Sequence, residues 1–199
     1  GNYALSDGAT LTGNTTTGDG SAINNSANAY LLGGTITANS TTGNGGAINN
    51  AAGANVYLQN GTITANSAAA GGAIYSEGTV NIQGTLSVTG NTVTNSFEAT
   101  SNLVLAKDGV INVSGAVTGS AIGVAVQEAS AGRTVVKLDD AVTDVKLTDV
   151  LSQITYEGDS SLKIGEDGTL VSTTRTVPYP NSCRRKTESN RKRMQMVRK

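Results

Sequence analysis

A short phrase recurs in this chain at a nearly constant interval, and that interval limits what the chain can fold into. Gly20-Ser21-Ala22-Ile23, Gly45-Gly46-Ala47-Ile48 and Gly71-Gly72-Ala73-Ile74 begin 25 and then 26 residues apart. A second phrase keeps phase with it: an aliphatic residue, Thr, a small residue and Asn. Its copies are Leu11-Thr12-Gly13-Asn14, Ile36-Thr37-Ala38-Asn39, Ile63-Thr64-Ala65-Asn66 and Val88-Thr89-Gly90-Asn91, at spacings of 25, 27 and 25. A unit this short cannot bury an apolar face alone. A fixed period in the twenties therefore points to stacked supersecondary units that share one continuous core.

Within a period the apolar residues fall in three short stretches, punctuated by Gly and Asn. Residues 20–44 show them as Ala22-Ile23-Asn24, Tyr30-Leu31-Leu32 and Thr35-Ile36-Thr37. The expectation is an all-β chain, a parallel β-helix (solenoid) with about 25–27 residues per coil and strands stacked about 4.8 Å apart. Ile23, Ile48 and Ile74 form one inward column. Leu31, Leu58 and Ile82 form a second, and Leu11, Ile36, Ile63 and Val88 a third. Paired glycines suit sharp corners. Asn14, Asn39, Asn66 and Asn91 form a candidate ladder, each Asn sitting in the left-handed region at a corner and bonding its stacked neighbour.

The repeat divides the chain. Residues 1–97 are regular coils, and 98–175 are degenerate coils of the same solenoid or a small β cap. In that second part Leu103-Val104-Leu105, Val110 to Val113 and Ile122 to Val126 read as strands, and 147–153 as a short helix. From 176 to 199 the composition breaks. Both Pro, both Met and the single Cys, Cys183, fall there among Arg184-Arg185-Lys186 and Arg191-Lys192-Arg193. That stretch reads as a disordered basic tail, either native or carried in from outside the natural reading frame.

Charge narrows the function. Residues 1–175 hold 6 Lys/Arg against 14 Asp/Glu, and no Lys or Arg precedes Lys107. A repeat body without cations has nothing to neutralise phosphate, so it is not expected to bind nucleic acid. One Cys makes no internal disulfide. No apolar run is long enough for a transmembrane helix. The chain opens on Gly1, already inside a coil, so a continuation of the same solenoid on the N-terminal side is expected.

The paired motifs resemble the repeats of the polymorphic outer-membrane proteins, autotransporter-type adhesins in which Gly-Gly-Ala-Ile alternates with Phe-x-x-Asn. Gly45 to Ile48 and Gly71 to Ile74 match the first motif literally. Leu11, Ile36, Ile63 and Val88 stand where Phe would be, with Asn14, Asn39, Asn66 and Asn91 in place. The resemblance covers roughly residues 9–95. Residues 102–173 are similar to segments that follow such repeats in large surface proteins of gut-type anaerobic bacteria. The resemblance implies a secreted or bacterial cell-surface protein whose partner is a glycan or protein on a host or neighbouring cell.

Three functions are then in play. The first is a rigid adhesin stalk or binding rod without catalysis, its face supplied by Thr10, Thr12, Thr35, Thr37, Thr62 and Thr64. The second is a carbohydrate-active lyase or hydrolase. It needs a base with charge neutralisation, or two facing carboxylates. The repeat has no cation, the chain has no His, and Asp7, Asp19 and Glu77 occupy different places in their coils. Asp139, Asp140, Asp144, Asp149, Glu157, Asp159, Glu166 and Asp167 lie mostly beside turns. The third is a flat lattice-binding face of ice-binding type, since Thr at i and i+2 in stacked strands makes a hydroxyl grid. Gly18-Asp19-Gly20 is only a fragment of a calcium turn, so no metal or cofactor is expected. Asn-x-Ser/Thr occurs at Asn14, Asn24, Asn39, Asn60 and Asn112, as composition alone predicts.

Overall fold

The computed structural model describes residues 2–94, 102–106 and 108–173. They form a β-solenoid of about five turns, built from parallel strands stacked coil on coil. The basic stretch at 176–199 lies outside the described residues.

Three faces alternate inward and outward residues. On the first, Ile23–Asn25, Ile48–Asn50, Ile74–Ser76 and Leu103–Leu105 pair in register, which lines up Ile23, Ile48, Ile74 and Leu103. The second runs through Tyr3–Leu5, Asn28–Leu31, the first halves of Asn55–Thr64 and Thr79–Val88, then Val110–Val117 and Val136–Leu138. It lines up Leu5, Leu31, Leu58, Ile82, Val113 and Leu138. The third runs through Thr10–Thr12, Thr35–Thr37 and the second halves of the same two long strands. It lines up Leu11, Ile36, Ile63 and Val88, and continues to Ile122 and Ile154. Ile36, Ile48, Leu58, Ile63, Ile74 and Ile82 are at most 1% exposed. Burying each such side chain contributes about 2–3 kcal/mol, which no single coil could turn into a stable core.

The sequence reading of three strands per coil needs one addition. A fourth, short face stacks Thr15–Thr16, Ser40–Thr41, Ser67–Ala68 and Thr92–Val93 as a separate sheet. These two-residue strands carry Ser and Thr and no apolar alternation, so they read as turns. After each of the first three comes the glycine corner. Gly20, Gly45 and Gly71 take φ of 67°, 69° and 60°. The next residue passes so close to the adjacent coil that a Cβ on Gly46 would run into the Gly72 carbonyl. Ser21 is tolerated there because its hydroxyl donates to the Gly46 carbonyl.

The other corner corrects the expectation for the ladder. The left-handed residue is the small one before the Asn: Gly13, Ala38, Ala65 and Gly90 have φ of 70°, 54°, 55° and 67°. That kink turns the Asn side chain inward. Asn39, Asn66 and Asn91 are at most 1% exposed. Each donates its backbone N–H and its side-chain amide to the Oδ1 of the next: Asn14 to Asn39 (3.0 and 2.8 Å), Asn39 to Asn66 (3.0 and 2.9 Å) and Asn66 to Asn91 (3.0 and 2.9 Å). The Asn66 amide also donates to the carbonyls of Ile36 and Thr64, both at 3.0 Å. One side chain thus satisfies backbone groups of two coils and bonds the Asn of a third.

The ladder outlasts the motif. Asn91 donates to Asn102 Oδ1 (3.0 and 2.8 Å), and Asn102 donates to the two carboxylate oxygens of Glu157 (2.9 and 2.7 Å). Asn102 stands where the earlier coils have the Ala of the tetrapeptide: its carbonyl accepts from Ala73 and Ile74 as that of Ala73 does from Ala47 and Ile48. One coil on, the chain cuts the corner. The strand Ala121–Val126 pairs Ile122 with Val88 and also Val124 with Leu103, so it serves two faces with no short strand between them. Gly123 lies in that strand, and any Cβ there would meet the Glu157 carboxylate.

The C-terminal end is covered. The short helix Leu147–Leu151 buries Val150 and ends before the longer 147–153 expected. An antiparallel hairpin, Leu162–Ile164 with Leu170–Ser172, buries Leu170. The Gly168 carbonyl accepts from Val135 (2.9 Å) and Val136 (3.1 Å). At the other end the inward positions stay open: Tyr3 is 48% exposed, and Leu5 and Leu11 are half-buried.

Two outcomes are expected. Ile48→Asp places an unpaired charge in a closed column, at a cost of several kcal/mol, and the β-type circular dichroism collapses at room temperature; an unchanged spectrum would refute the column. Asn66→Ala strands buried donors and acceptors at about 1–3 kcal/mol per group. It should lower the urea midpoint far more than Asn24→Ala, whose side chain is exposed. Equal midpoints would show that the ladder adds nothing.

Candidate binding face

The outward positions of the third face are what folding leaves unused. Thr10, Thr35, Thr62 and Ser87 stand in one row, and Thr12, Thr37 and Thr64 in another. Thr10 and Thr12 are exposed, and Thr35, Thr37, Thr62 and Thr64 half-buried. Among the described residues none of the six threonine hydroxyls has a protein hydrogen-bond partner. The rows are spaced about 6.7 Å along a strand and about 4.8 Å between coils. Their regularity comes from beneath: Leu11, Ile36 and Ile63 lie between them on the inner side, and Asn14, Asn39 and Asn66 pin the corner that follows.

The adjoining second face carries another outward element. Asn55–Thr64 turns from the second face to the third at Gly61, whose φ is 113°, so Tyr57 and Thr62 both point outward but on neighbouring faces. Tyr30 and Tyr57 are register partners. Their rings stack with centroids 4.7 Å apart and planes 7° from parallel, within the range that stabilises aromatic pairs. An amide row runs beside them, with Asn55 donating to Asn28 (3.3 Å) and Asn28 to Asn2 (3.4 Å).

Several Asn residues singled out by the sequence lie inside. Asn39 and Asn112, each in an Asn-x-Ser/Thr triplet, are buried, whereas Asn14, Asn24 and Asn60 are exposed. A second interior ladder escaped the sequence reading. Asn25 donates to Asn50 Oδ1 (2.7 Å), and Asn50 to Ser76 Oγ (3.0 Å), all three fully buried. The signal was present in Ile-Asn-Asn, Ile-Asn-Asn and Ile-Tyr-Ser at the same phase.

The carboxylates hold turns. Asp139, Asp159 and Asp167 accept the backbone N–H two residues on, from Ala141 (3.0 Å), Ser161 (2.8 Å) and Thr169 (3.0 Å). In each case that N–H is the first cause holding the carboxyl below its usual range, followed by the Asn112 amide for Asp139 and by the hydroxyls of Ser161 and Thr169 for the others. In the Gly18-Asp19-Gly20 turn Asp19 accepts from the Asn44 N–H (2.7 Å). Glu157 is bound to the ladder. Among the described residues no three of His, Cys, Asp and Glu gather to hold a metal ion.

Two surface clefts lie on the C-terminal coils. One, of about 500 Å³, is lined by Val126, Gln127, Glu128, Ala129 and Asp159. The other, of about 420 Å³, includes Asp108, Arg133 and Lys137. The Arg133 guanidinium is committed to backbone carbonyls, with Gln127 O at 2.5 Å and Gly109 O at 3.4 Å. Burial lowers its pKa. No helix among the described residues is long and apolar enough to cross a membrane. Comparison with protein-family models, with curated proteins and with solved structures finds no match.

The depressed carboxyls set a pH dependence. A carboxyl whose pKa is lower folded than unfolded stabilises the fold above its unfolded value, near 3.9 for Asp, and loses that contribution as pH falls through the folded value. The triple variant Asp139→Asn, Asp159→Asn, Asp167→Asn should therefore lose less stability than the parent between about pH 5 and pH 2. Parallel melting-temperature profiles for the two would contradict this.

Proposed function

We propose that this chain is a non-catalytic rod of a secreted or cell-surface protein, adhesin-like in its work, which meets another surface through its threonine face. The observation that carries the reading is the pair of outward rows whose six threonine hydroxyls have no protein partner among the described residues, set on a core that fixes their spacing. A preorganised array binds with little ordering cost, so many weak hydrogen bonds can add to a useful affinity. The resemblance to polymorphic outer-membrane repeats supports the same setting, outside a bacterial cell. The scarcity of charged residues in 2–94, where Asp7, Asp19 and Glu77 stand without any Lys or Arg, favours contact through neutral polar groups.

Beads coated with the full chain should adhere to cells or extracellular matrix. The variant Thr35→Val, Thr37→Val, Thr62→Val, Thr64→Val keeps the shape and removes hydroxyls, and should adhere several-fold less. Adhesion equal to the parent would take the face out of the proposal, and no adhesion by either would leave a spacer.

The grid's regularity favours one other reading, a lattice-binding face of ice-binding type. It requires thermal hysteresis in a cooled solution of the protein, lost in the same valine variant. Freezing-point behaviour matching an inert protein at equal concentration would exclude it.

A further inference from the structure

The stacked tyrosines end abruptly, and the residue that ends the stack leaves a ring face open. Register places Ala4 against Tyr30 as Tyr30 stands against Tyr57. Tyr57 covers one face of the Tyr30 ring. On the other side stands Ala4, whose side chain stops at Cβ while the ring extends outward beyond it, and Tyr30 remains partly exposed. The gap is one rung deep, about 4.8 Å, the thickness that a stacked ring fills. Asn2 and Asn28 stand beside it, already joined at 3.4 Å, with amide donors and acceptors to spare. Past the corner at Gly33 and Gly34, where Gly34 takes a φ of 78°, Thr35 and Thr37 stand on the adjoining third face.

We propose that this slot and the hydroxyl rows beside it bind a neutral polysaccharide, with one hexose ring stacked on Tyr30 at the level of Ala4. This rests on the surface-binding reading above and names its ligand class. A pyranose has one face rich in C–H groups, which matches the electron-rich face of an aromatic ring. Its rim of hydroxyls suits neutral amide and hydroxyl partners of the kind that Asn2, Asn28, Thr35 and Thr37 supply. Charge selects against acidic polymers. Residues 2–94 contain no Lys or Arg, and Asp7 is close by, its carboxylate lying over Gly33. A uronate or sulfate would find repulsion there and no counter-ion. A hydrophobic peptide is a poorer fit, because the slot is one ring deep and bordered by amides.

The test uses the full chain in titration calorimetry against a soluble β-glucan, a mannan, a xyloglucan and, as the acidic control, polygalacturonate. At least one neutral polymer should bind. Tyr30→Ala should weaken it about tenfold, the scale of one lost stacking contact. Ala4→Tyr should weaken it as much by filling the slot with protein. Both positions face outward, so Ala4→Tyr should melt like the parent and Tyr30→Ala should melt only a few degrees lower, from the lost stack on Tyr57. The valine variant of Thr35 and Thr37 should weaken binding further along the chain. Binding of no neutral polymer, preference for polygalacturonate, or indifference to both Tyr30→Ala and Ala4→Tyr would overturn the proposal. If Tyr30→Ala coated beads adhere to cells as the parent does, the rod reading survives and this site does not. If a neutral polymer binds through Tyr30 yet beads adhere to no surface, the site stands alone.

Discussion

Everything in this fold depends on a polar chain of amides running down its inside. In the Asn ladder each rung donates two N–H groups to one oxygen of the next, from Asn14 to Asn102. From rung to rung the donation always runs the same way. Such a chain cannot end on another amide in the interior, because the last pair of N–H groups would then be buried without acceptors. An ionised carboxylate only accepts. Glu157 therefore closes the ladder with two oxygens for two donors, and Gly123 gives up a side chain to admit it. The spacing of 25–27 residues follows from the same requirement, since a coil with the wrong length would present its Asn out of line.

This constraint explains how the outer surface becomes free. In the phrase Ile-Thr-Ala-Asn, the Ile fills the core column, the Ala takes the left-handed corner and the Asn enters the ladder. Only the Thr at the second place, and the one preceding the Ile, face outward. Folding specifies their positions closely and their chemistry loosely. β-Branched residues suit the strand, and Ser87 replaces Thr without disturbing the row. A surface so placed can be tuned for a ligand at little risk to the fold. The tyrosine pair differs in kind, because a stacked ring repeats only where the next coil also supplies one.

The sequence was legible where two motifs kept phase. The Ile23, Leu31 and Leu11 columns follow from counting, because a register fixed by one motif is checked by the other. The corner conformation was harder. An Asn in the left-handed region and an Ala there followed by an inward Asn produce the same letters, and only burial separates them. Beyond residue 94 the ladder became invisible because its members changed residue type and position. Asn102 enters from the slot of an Ala, and Glu157 completes Ile154-Thr155-Tyr156-Glu157, the familiar phrase with its last two residues exchanged. Its column no longer keeps the period, since Val88, Ile122 and Ile154 stand 34 and 32 residues apart. The threonine rows were visible as a pattern, but the open face of Tyr30 was not, since it needs the register of Ala4.

The ladder also gives the stack a direction that its ends obey differently. At the C-terminal side its donors are exhausted on Glu157, and the helix, the hairpin and Leu170 cover the apolar columns. A further coil placed there would meet a satisfied carboxylate and no open column. At the opposite side Asn14 Oδ1 accepts from no protein group among the described residues, while Leu5 and Leu11 leave their two columns partly open. A coil added on that side must bring an amide whose N–H groups point to Asn14, and an aliphatic residue over Leu11. The phrase that builds the interior is thus also the one such a coil would need, because the first rung offers an acceptor and the last offers nothing.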